Sequence, residues 1–540
     1  MTDIWRKSTP DKVPLGGKKK TDRMIFLLAV AVGVIFVATG ILYVALPASP
    51  DQLELDYLAG LVLDGGLPYV DFVDNNWPGG YLLHMVSTVF FGYSFHSWRL
   101  LDYLLMLFCL FFLCRLLFKA VGKSSALWAA FLYPGLYTTA ESFWFPGQRD
   151  AVVANLFWPV IWSHWHGWKT GRPQWQLFTG LLIAVATLIK PTAIIIWPLL
   201  LLHGLWWSIH SHRSDFFYQA GAAVVALFCT LAVAFTTILL RGTSITSLLD
   251  SIWFFNFYPQ GAGRAPLAIL LQKALSIHII SWHWITFVSL IVAGWLFFVD
   301  RHVKIEFKLL FACVYISGWA SYFIQGRGFG YHLAIVYAGM LPFLFIGMGK
   351  LYNFLLKPVP MGYKLLPMLV LSIVLVGTVK KYDTQYAAVF PWLTGRMGTA
   401  EYYDNFSAGD GMSLGDVYRL LPKLKASIGR GETLLMIGTQ SAANFVLNRR
   451  QPIRFYYLPI FTEARRPIDM VNRWNIAFRK EIDQDHSPMA LVNRTFLENP
   501  PSSHNDMTVE SLRLLKSHLA KHFVRIQEFN KVDLYQHRRH

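Results

Sequence analysis

Apolar residues come in long runs from about residue 24 to residue 380, and mixed polar segments replace them beyond that point. A helix needs about 20 mainly apolar residues to cross a hydrocarbon core of about 30 Å. The runs predict about eleven spanning helices, near 24–46, 97–118, 125–140, 151–166, 175–189, 191–208, 217–240, 277–299, 308–324, 332–349 and 365–379. Two long loops, 47–96 and 241–276, fall on one side of the membrane. In the first, 51–64 predicts an amphipathic helix lying at the interface, and 79–92 a short apolar helix. The second holds Trp253-Phe254-Phe255-Asn256-Phe257-Tyr258, and Trp and Tyr favour the headgroup level.

Past residue 380, helical patterns at 414–427, 439–447 and 508–521 alternate with β-like runs at 433–437, 490–493, 523–528 and 532–536. This alternation predicts a small α/β domain over 381–540. The first 23 residues form a basic tail with no small-residue cleavage pattern before the first span. That span is therefore expected to be an uncleaved anchor. The expected fold is mainly α, a polytopic transmembrane bundle over 24–380 carrying a C-terminal external α/β domain.

Charge sets the orientation. Nineteen Lys and Arg lie in the tail and the loops on its side, against seven on the opposite side up to the last span. By the positive-inside rule the N-terminus is cytoplasmic, and an odd number of spans puts the C-terminal domain outside. The net charge of +17 is spread along the chain rather than clustered, which argues against nucleic-acid binding. The four cysteines, Cys109, Cys114, Cys229 and Cys313, all fall in expected spans without a CxxC pair. Neither a disulfide framework nor a cysteine metal site is expected. No GxGxxG, P-loop, GxSxG or HExxH motif occurs, so nucleotide binding and those hydrolase chemistries are not indicated. His164/His166 and His210/His212 do not have the spacing of a strong zinc site.

Loop 47–96 carries Asp51, Glu54, Asp56, Asp64, Asp71 and Asp74 but no Lys or Arg. Charge asymmetry accounts for the missing Lys and Arg, but not for the acids, which count little in topology. A carboxylate at the membrane surface can take a proton from a hydroxyl or hold a cation. The plainer alternative is a solvated acidic loop. Arg149 opens the fourth span, Lys190-Pro191 breaks a long apolar run, and Gln325-Gly326-Arg327-Gly328-Phe329-Gly330-Tyr331-His332 joins two later spans. Ionisable groups at membrane depth are costly and usually face a cavity or a partner. Snorkelling, or pairing of Arg149 with Asp150 or Glu141, is the alternative reading.

The acids after the first span, followed by Pro68-Tyr69-Val70-Asp71-Phe72-Val73-Asp74-Asn75-Asn76-Trp77-Pro78-Gly79-Gly80, resemble the GT-C superfamily of integral-membrane glycosyltransferases. The nearest likeness is to bacterial protein O-mannosyltransferase and lipid A aminoarabinose transferase types, over roughly 24–380. The resemblance implies a catalytic base just after the first span, which falls on Asp56 with Glu54 beside it. The later block often reads Asp-Phe-x-Asp-x-Lys-Pro-Pro-Gly in relatives. Asp71, Phe72, Asp74, Pro78 and Gly79 match it, while Asn76 stands where Lys is common and Trp77 replaces the first Pro. That lysine can contact the lipid phosphate in relatives, so the contact is expected to pass here to Arg327, Lys190 or Arg149, with His332 nearby.

The implied activity is inverting transfer of a sugar from a polyprenyl-phosphate donor at the outer face of the bacterial cytoplasmic membrane. The acceptor would be a lipopolysaccharide, another glycolipid, a polysaccharide or a protein. Some GT-C enzymes use a divalent cation held by external acids and others none, and the resemblance does not choose between them. The rival reading is a transporter or lipid-glycan flippase, for which inverted repeats would be expected in many cases; none is visible.

Overall fold

The computed structural model describes residues 15–212, 214–254, 265–300, 302–406, 413–438, 442–456, 468–498 and 506–539. The tail before residue 15, Arg213, 255–258 of the aromatic segment, Arg264, Arg301 and 439–441 of an expected helix lie outside the described residues. Nine helices come first: α1 (Leu15–Ala45), α2 (Pro50–Leu63), α3 (Gly79–Phe91), α4 (Phe95–Val121), α5 (Lys123–Thr138), α6 (Arg149–Thr170), α7 (Pro173–Ile189), α8 (Ile196–His210) and α9 (Phe216–Leu240). There follow α10 (Leu267–Ser276), α11 (His283–Phe298), α12 (Ile305–Gln325), α13 (Ala334–Leu355) and α14 (Met361–Tyr386). The segments expected to span are largely helical, but 277–299 is not one straight helix: it contains the bend between Ile277–Ser281 and His283–Phe298.

The chain is an integral membrane protein. Among the described residues, six helical segments are long and apolar enough to cross a bilayer, or up to eight if each of two bent pairs is one span. The bent pairs are Val30–Ala45 with Pro50–Leu63, at 80°, and Leu267–Ser281 with Trp284–Phe298, at 101°. Helices α5 and α7 are short, at 16 and 17 residues. Helix α6 carries Asn155, Ser163 and His164, all buried. A helix walled by other helices can hold polar groups that a lipid-facing helix cannot. His164 bonds inside the bundle to His203, at 3.1 Å, rather than pairing with His166.

Helix α2 differs from the expected interfacial helix. Gln52 to Ala59 and Val62 are all buried, leaving no solvated stripe. The covering layer comes from far along the chain. The Gln451 amide donates to the Tyr57 hydroxyl at 2.8 Å, and Tyr93 packs on Phe445 with ring centroids 4.5 Å apart. The Tyr402 hydroxyl donates to the Ala45 carbonyl at 2.8 Å.

The C-terminal region forms a four-stranded sheet in the order β1-β2-β4-β3, from Leu434–Ile437, Met489–Asn493, Phe523–Phe529 and Val532–His537. Strands β1 and β2 are parallel and are joined through helices Ala442–Leu447 and Ile468–Asp483, since a parallel pair needs a crossover. Side chains alternate between faces along a strand. Leu434 and Met436 accordingly join the core that continues into the membrane helices, while Leu435 and Ile437 pack with Trp474, Phe478 and Leu515. Helix Ile468–Asp483 was not expected from the sequence, although Met470, Trp474, Phe478 and Ile482 recur in it at helical spacing.

Candidate active site

A cavity of about 530 Å³ opens between the start of α2, the 73–77 segment, the start of α6, the break before α8 and the 324–332 loop, with Tyr456 closing one side. Each wall has a local cause. At α2, Pro50 takes the first helical position, where its missing N–H costs nothing. Ser49 donates its amide to Gln52 Oε1 at 3.0 Å and accepts from Gln148 Nε2 at 3.0 Å. This ties the start of α2 to the start of α6. Arg99, fully buried, secures the same corner by donating to the carbonyls of Pro47 (2.6 Å), Phe143 (3.1 Å) and Pro146 (2.8 Å).

Asp51 and Glu54, three residues apart, share one face of α2 and line the cavity together. Residues so spaced are neighbours on a helix surface. Asp56 is about 140° around the helix from Asp51 at about 100° per residue. It faces away and does not line the cavity. Its Oδ1 lies 2.6 Å from His84 Nδ1, and that imidazole stacks on Trp98 at 3.9 Å. The position expected for the catalytic base is thus a buried pair behind the wall.

The other expected acids also differ in role. Asp71 is exposed and accepts the Leu67 amide at 2.7 Å, as a turn-closing group does. Asp74 is 1% exposed. Its Oδ1 accepts from the Asn76 amide (3.1 Å), Asn76 Nδ2 (2.8 Å) and the Tyr456 hydroxyl (3.2 Å). It shapes the wall from behind, while Asn75, Asn76 and Trp77 face the cavity.

All four expected phosphate ligands, Arg149, Lys190, Arg327 and His332, line this one cavity. Pro191 disfavours helical backbone at the residue before it, and Lys190 is extended, with φ −145° and ψ 113°. The chain breaks there and turns the lysine inward. Lys190 Nζ pairs with Asp150 at 3.0 Å, and Gln325 Nε2 donates to the same carboxylate at 3.1 Å. The partner of Asp150 is therefore Lys190 rather than Arg149. Arg149 makes no hydrogen bond or ion pair among the described residues. After α12 the backbone is left-handed at Gly326 (φ 66°) and Gly328 (φ 69°), conformations that glycine adopts without penalty. They fold Arg327 back to the cavity. The amide of Ala265 donates to the Gly326 carbonyl at 2.8 Å and holds the turn.

The 78–79 step seats the loop against this cluster. A Cβ on Gly79 would lie 2.5 Å from the backbone nitrogen of Ile189, immediately before Lys190. Gly79→Ala must push the end of α7 away. We expect a loss of about 1–3 kcal/mol, the usual range for overpacking, seen as a lower thermal midpoint in detergent. An unchanged midpoint would show that the 78–79 step does not seat α7.

Electrostatics divide the acids. Burial pushes the Asp51 carboxyl up from its ordinary value, against the pull of Arg149, Gln148 and Lys190. Burial likewise raises Asp74, against the Asn76 amide and Arg149. Glu141, on the cavity wall beside Gly330, is pushed up by burial to about 7, with Lys381 pulling the other way. Among the described residues, no three His, Cys, Asp or Glu side chains form a set that could hold a metal ion. A second cavity of about 430 Å³, bounded by Phe143, Trp284, Lys380 and Lys381, meets the first at Glu141 and Ser142.

A family model for dolichyl-phosphate-mannose-protein mannosyltransferase matches residues 78–235. Among solved structures, ArnT from Cupriavidus metallidurans bound to undecaprenyl phosphate superposes with a TM-score of 0.58 at 12% identity, over 95% of this chain and 97% of that one. The chain shares the fold of this ArnT. The apo state of the same ArnT gives a TM-score of 0.55 at 11% identity, over 96% and 98% of the two chains. The Archaeoglobus fulgidus oligosaccharyltransferase in the apo form gives 0.49 at 12% identity, over 86% and 70%. No protein of curated function matches the sequence. The family match covers the 78–79 step, Arg149 and Lys190; Asp51, Arg327 and Tyr456 lie outside it.

Asp51, Glu141, Gln325 and Tyr456 were not singled out as site residues by the sequence. Only Asp51 had a usable signal: it follows Ser49-Pro50 at a helix start and stands three residues before Glu54.

Proposed function

We propose that the protein is an inverting glycosyltransferase that moves a sugar from a polyprenyl-phosphate donor to an envelope acceptor. The acceptor is a lipopolysaccharide, another glycolipid, a polysaccharide or a protein. The reaction takes place on the outer face of the bacterial cytoplasmic membrane, in a chain of about eleven crossings with a cytoplasmic N-terminus and the C-terminal domain outside. One observation carries the reading: Arg149, Lys190, Arg327 and His332 share a cavity with Asp51 and Glu54. The undecaprenyl phosphate held by ArnT supports a lipid phosphate as the group these cations receive.

The acceptor hydroxyl attacks the anomeric carbon as the bond from that carbon to the phosphate oxygen breaks. Asp51, in place of Asp56, takes the hydroxyl proton, with Glu54 adjacent. The leaving phosphate gains negative charge beside Arg149 and Arg327, and donors already aimed at developing charge stabilise the transition state. Arg suits phosphate because its planar fork gives paired hydrogen bonds. A single displacement inverts the anomeric centre.

The test is sugar transfer by the purified protein supplied with undecaprenyl-phosphate-linked sugars and envelope extracts. A product that requires the lipid-linked sugar is expected, and mass spectrometry of envelope glycans from a strain lacking the protein identifies the acceptor. Failure to transfer from any such donor argues against the reading. Arg327→Ala is expected to weaken undecaprenyl phosphate binding about tenfold or more, as loss of a charge-assisted contact does, with less effect on the acceptor. Binding at wild-type strength would remove Arg327 from the phosphate site.

A further inference from the structure

Asn76 occupies the cavity wall at the position where the resembling enzymes often carry a phosphate-binding lysine, and its hydrogen bonds show what it offers instead. Asp74 Oδ1 accepts the backbone amide of Asn76 at 3.1 Å, and a backbone N–H can only donate. The same oxygen sits 2.8 Å from the Asn76 side-chain nitrogen. The carboxamide is therefore oriented with its NH₂ on Asp74, and its Oδ1 makes no hydrogen bond among the described residues. Two tyrosines hold this arrangement. The Tyr456 hydroxyl donates to Asp74 Oδ1 at 3.2 Å, and the Tyr69 hydroxyl donates to the Asn76 carbonyl at 2.9 Å. One of the two amide N–H groups is thereby held by a buried carboxylate, and the carbonyl oxygen is left as an acceptor on the cavity wall, where an acceptor repels phosphate.

The surroundings indicate which group is read. A Cβ on Gly80, four residues on, would lie 3.5 Å from the Arg149 Cδ, and Gly79 abuts the backbone just before Lys190. The wall bearing Asn76 thus adjoins the cations assigned to the donor phosphate. The part of the donor next to its phosphate is the sugar. Resting on the proposed glycosyl transfer, we infer that Asn76 determines donor specificity by accepting a hydrogen bond from a hydroxyl of the donor sugar. Tyr456 of the C-terminal domain is then a positioning residue, acting through Asp74.

The test compares two probes on the purified full-length protein: undecaprenyl phosphate without sugar, and the undecaprenyl-phosphate-linked sugar that wild type uses best. Asn76→Ala should weaken the sugar-bearing lipid about three- to tenfold, the range for one lost hydrogen bond, and leave undecaprenyl phosphate binding unchanged. Asn76→Lys should tighten undecaprenyl phosphate and weaken the sugar-bearing lipid relative to it. Tyr456→Phe should shift KM for the sugar donor in the direction of Asn76→Ala. Equal weakening of both lipids by Asn76→Ala, or Asn76→Lys keeping the wild-type preference for the sugar-bearing lipid, overturns the inference while leaving the transferase reading intact. A wild-type protein that binds neither lipid overturns both.

Discussion

Asp51→Asn lowers turnover by about a hundredfold or more, the scale of a lost general base, while the protein stays folded and still binds the donor. The reason lies in the helix geometry. Asp51 shares the cavity with Arg149, Lys190 and Arg327, whereas Asp56 is turned away onto His84 at 2.6 Å. Burial pushes the Asp51 carboxyl up, which makes it a stronger base than an ordinary carboxylate. Because it must be ionised to act, transfer falls as the pH drops through its raised pKa. The acid limb of the rate profile should therefore lie above the ordinary Asp value of about 4. Asp56→Asn supplies the control: it should alter stability more than turnover in the surviving folded fraction. Near-normal turnover for Asp51→Asn, with loss for Asp56→Asn in a well-folded sample, would return the base to Asp56.

Lys190→Ala should be the most destabilising single change at the cavity. Lys190 and Asp150 are 8% and 1% exposed and 3.0 Å apart. Removing the lysine leaves a buried carboxylate that, among the described residues, keeps the Gln325 amide as a hydrogen-bond donor and loses its ion-pair partner. Breaking a buried pair on one side typically costs about 3–5 kcal/mol. Replacing both partners, as in Asp150→Asn with Lys190→Met, should recover most of the loss in the thermal midpoint, because no uncompensated charge remains. Undecaprenyl phosphate binding should stay weak in the double variant, since the cation is still missing. A double variant no more stable than Lys190→Ala would show that the pair carries little of the local stability. Recovery of lipid binding together with stability would make Lys190 a structural residue only.

Much of this fold is written locally. The apolar runs became helical, with 277–299 broken by a bend, and the four strands of the C-terminal sheet fell within a residue or two of the β-like segments. Hydrophobicity and strand alternation are properties of neighbouring residues, so they need no knowledge of the rest of the chain. The missed helix Ile468–Asp483 was readable in principle from its apolar spacing. Helix α2 was read as interfacial because its own sequence could not reveal that Gln451 and the helix Ala442–Leu447 would cover it.

The candidate site divides the same way. The sequence by itself singled out Arg149, Lys190 and Arg327, because charge inside apolar runs, a Lys-Pro break and a glycine-rich turn are costly without a purpose; the family resemblance added His332. All four line one cavity. The choice among the acids was a different problem. Asp51, Glu54 and Asp56 lie within six residues of one another, and composition weighs them alike. Only the rotation of α2 against its neighbours turns Asp51 and Glu54 inward and Asp56 onto His84. In the same way, Asp150 became the partner of Lys190, and Tyr456 reached Asp74 across 382 residues. Local pattern decides where a helix or a break forms; which side chains then meet depends on contacts between distant segments, and those exist only once the chain has packed.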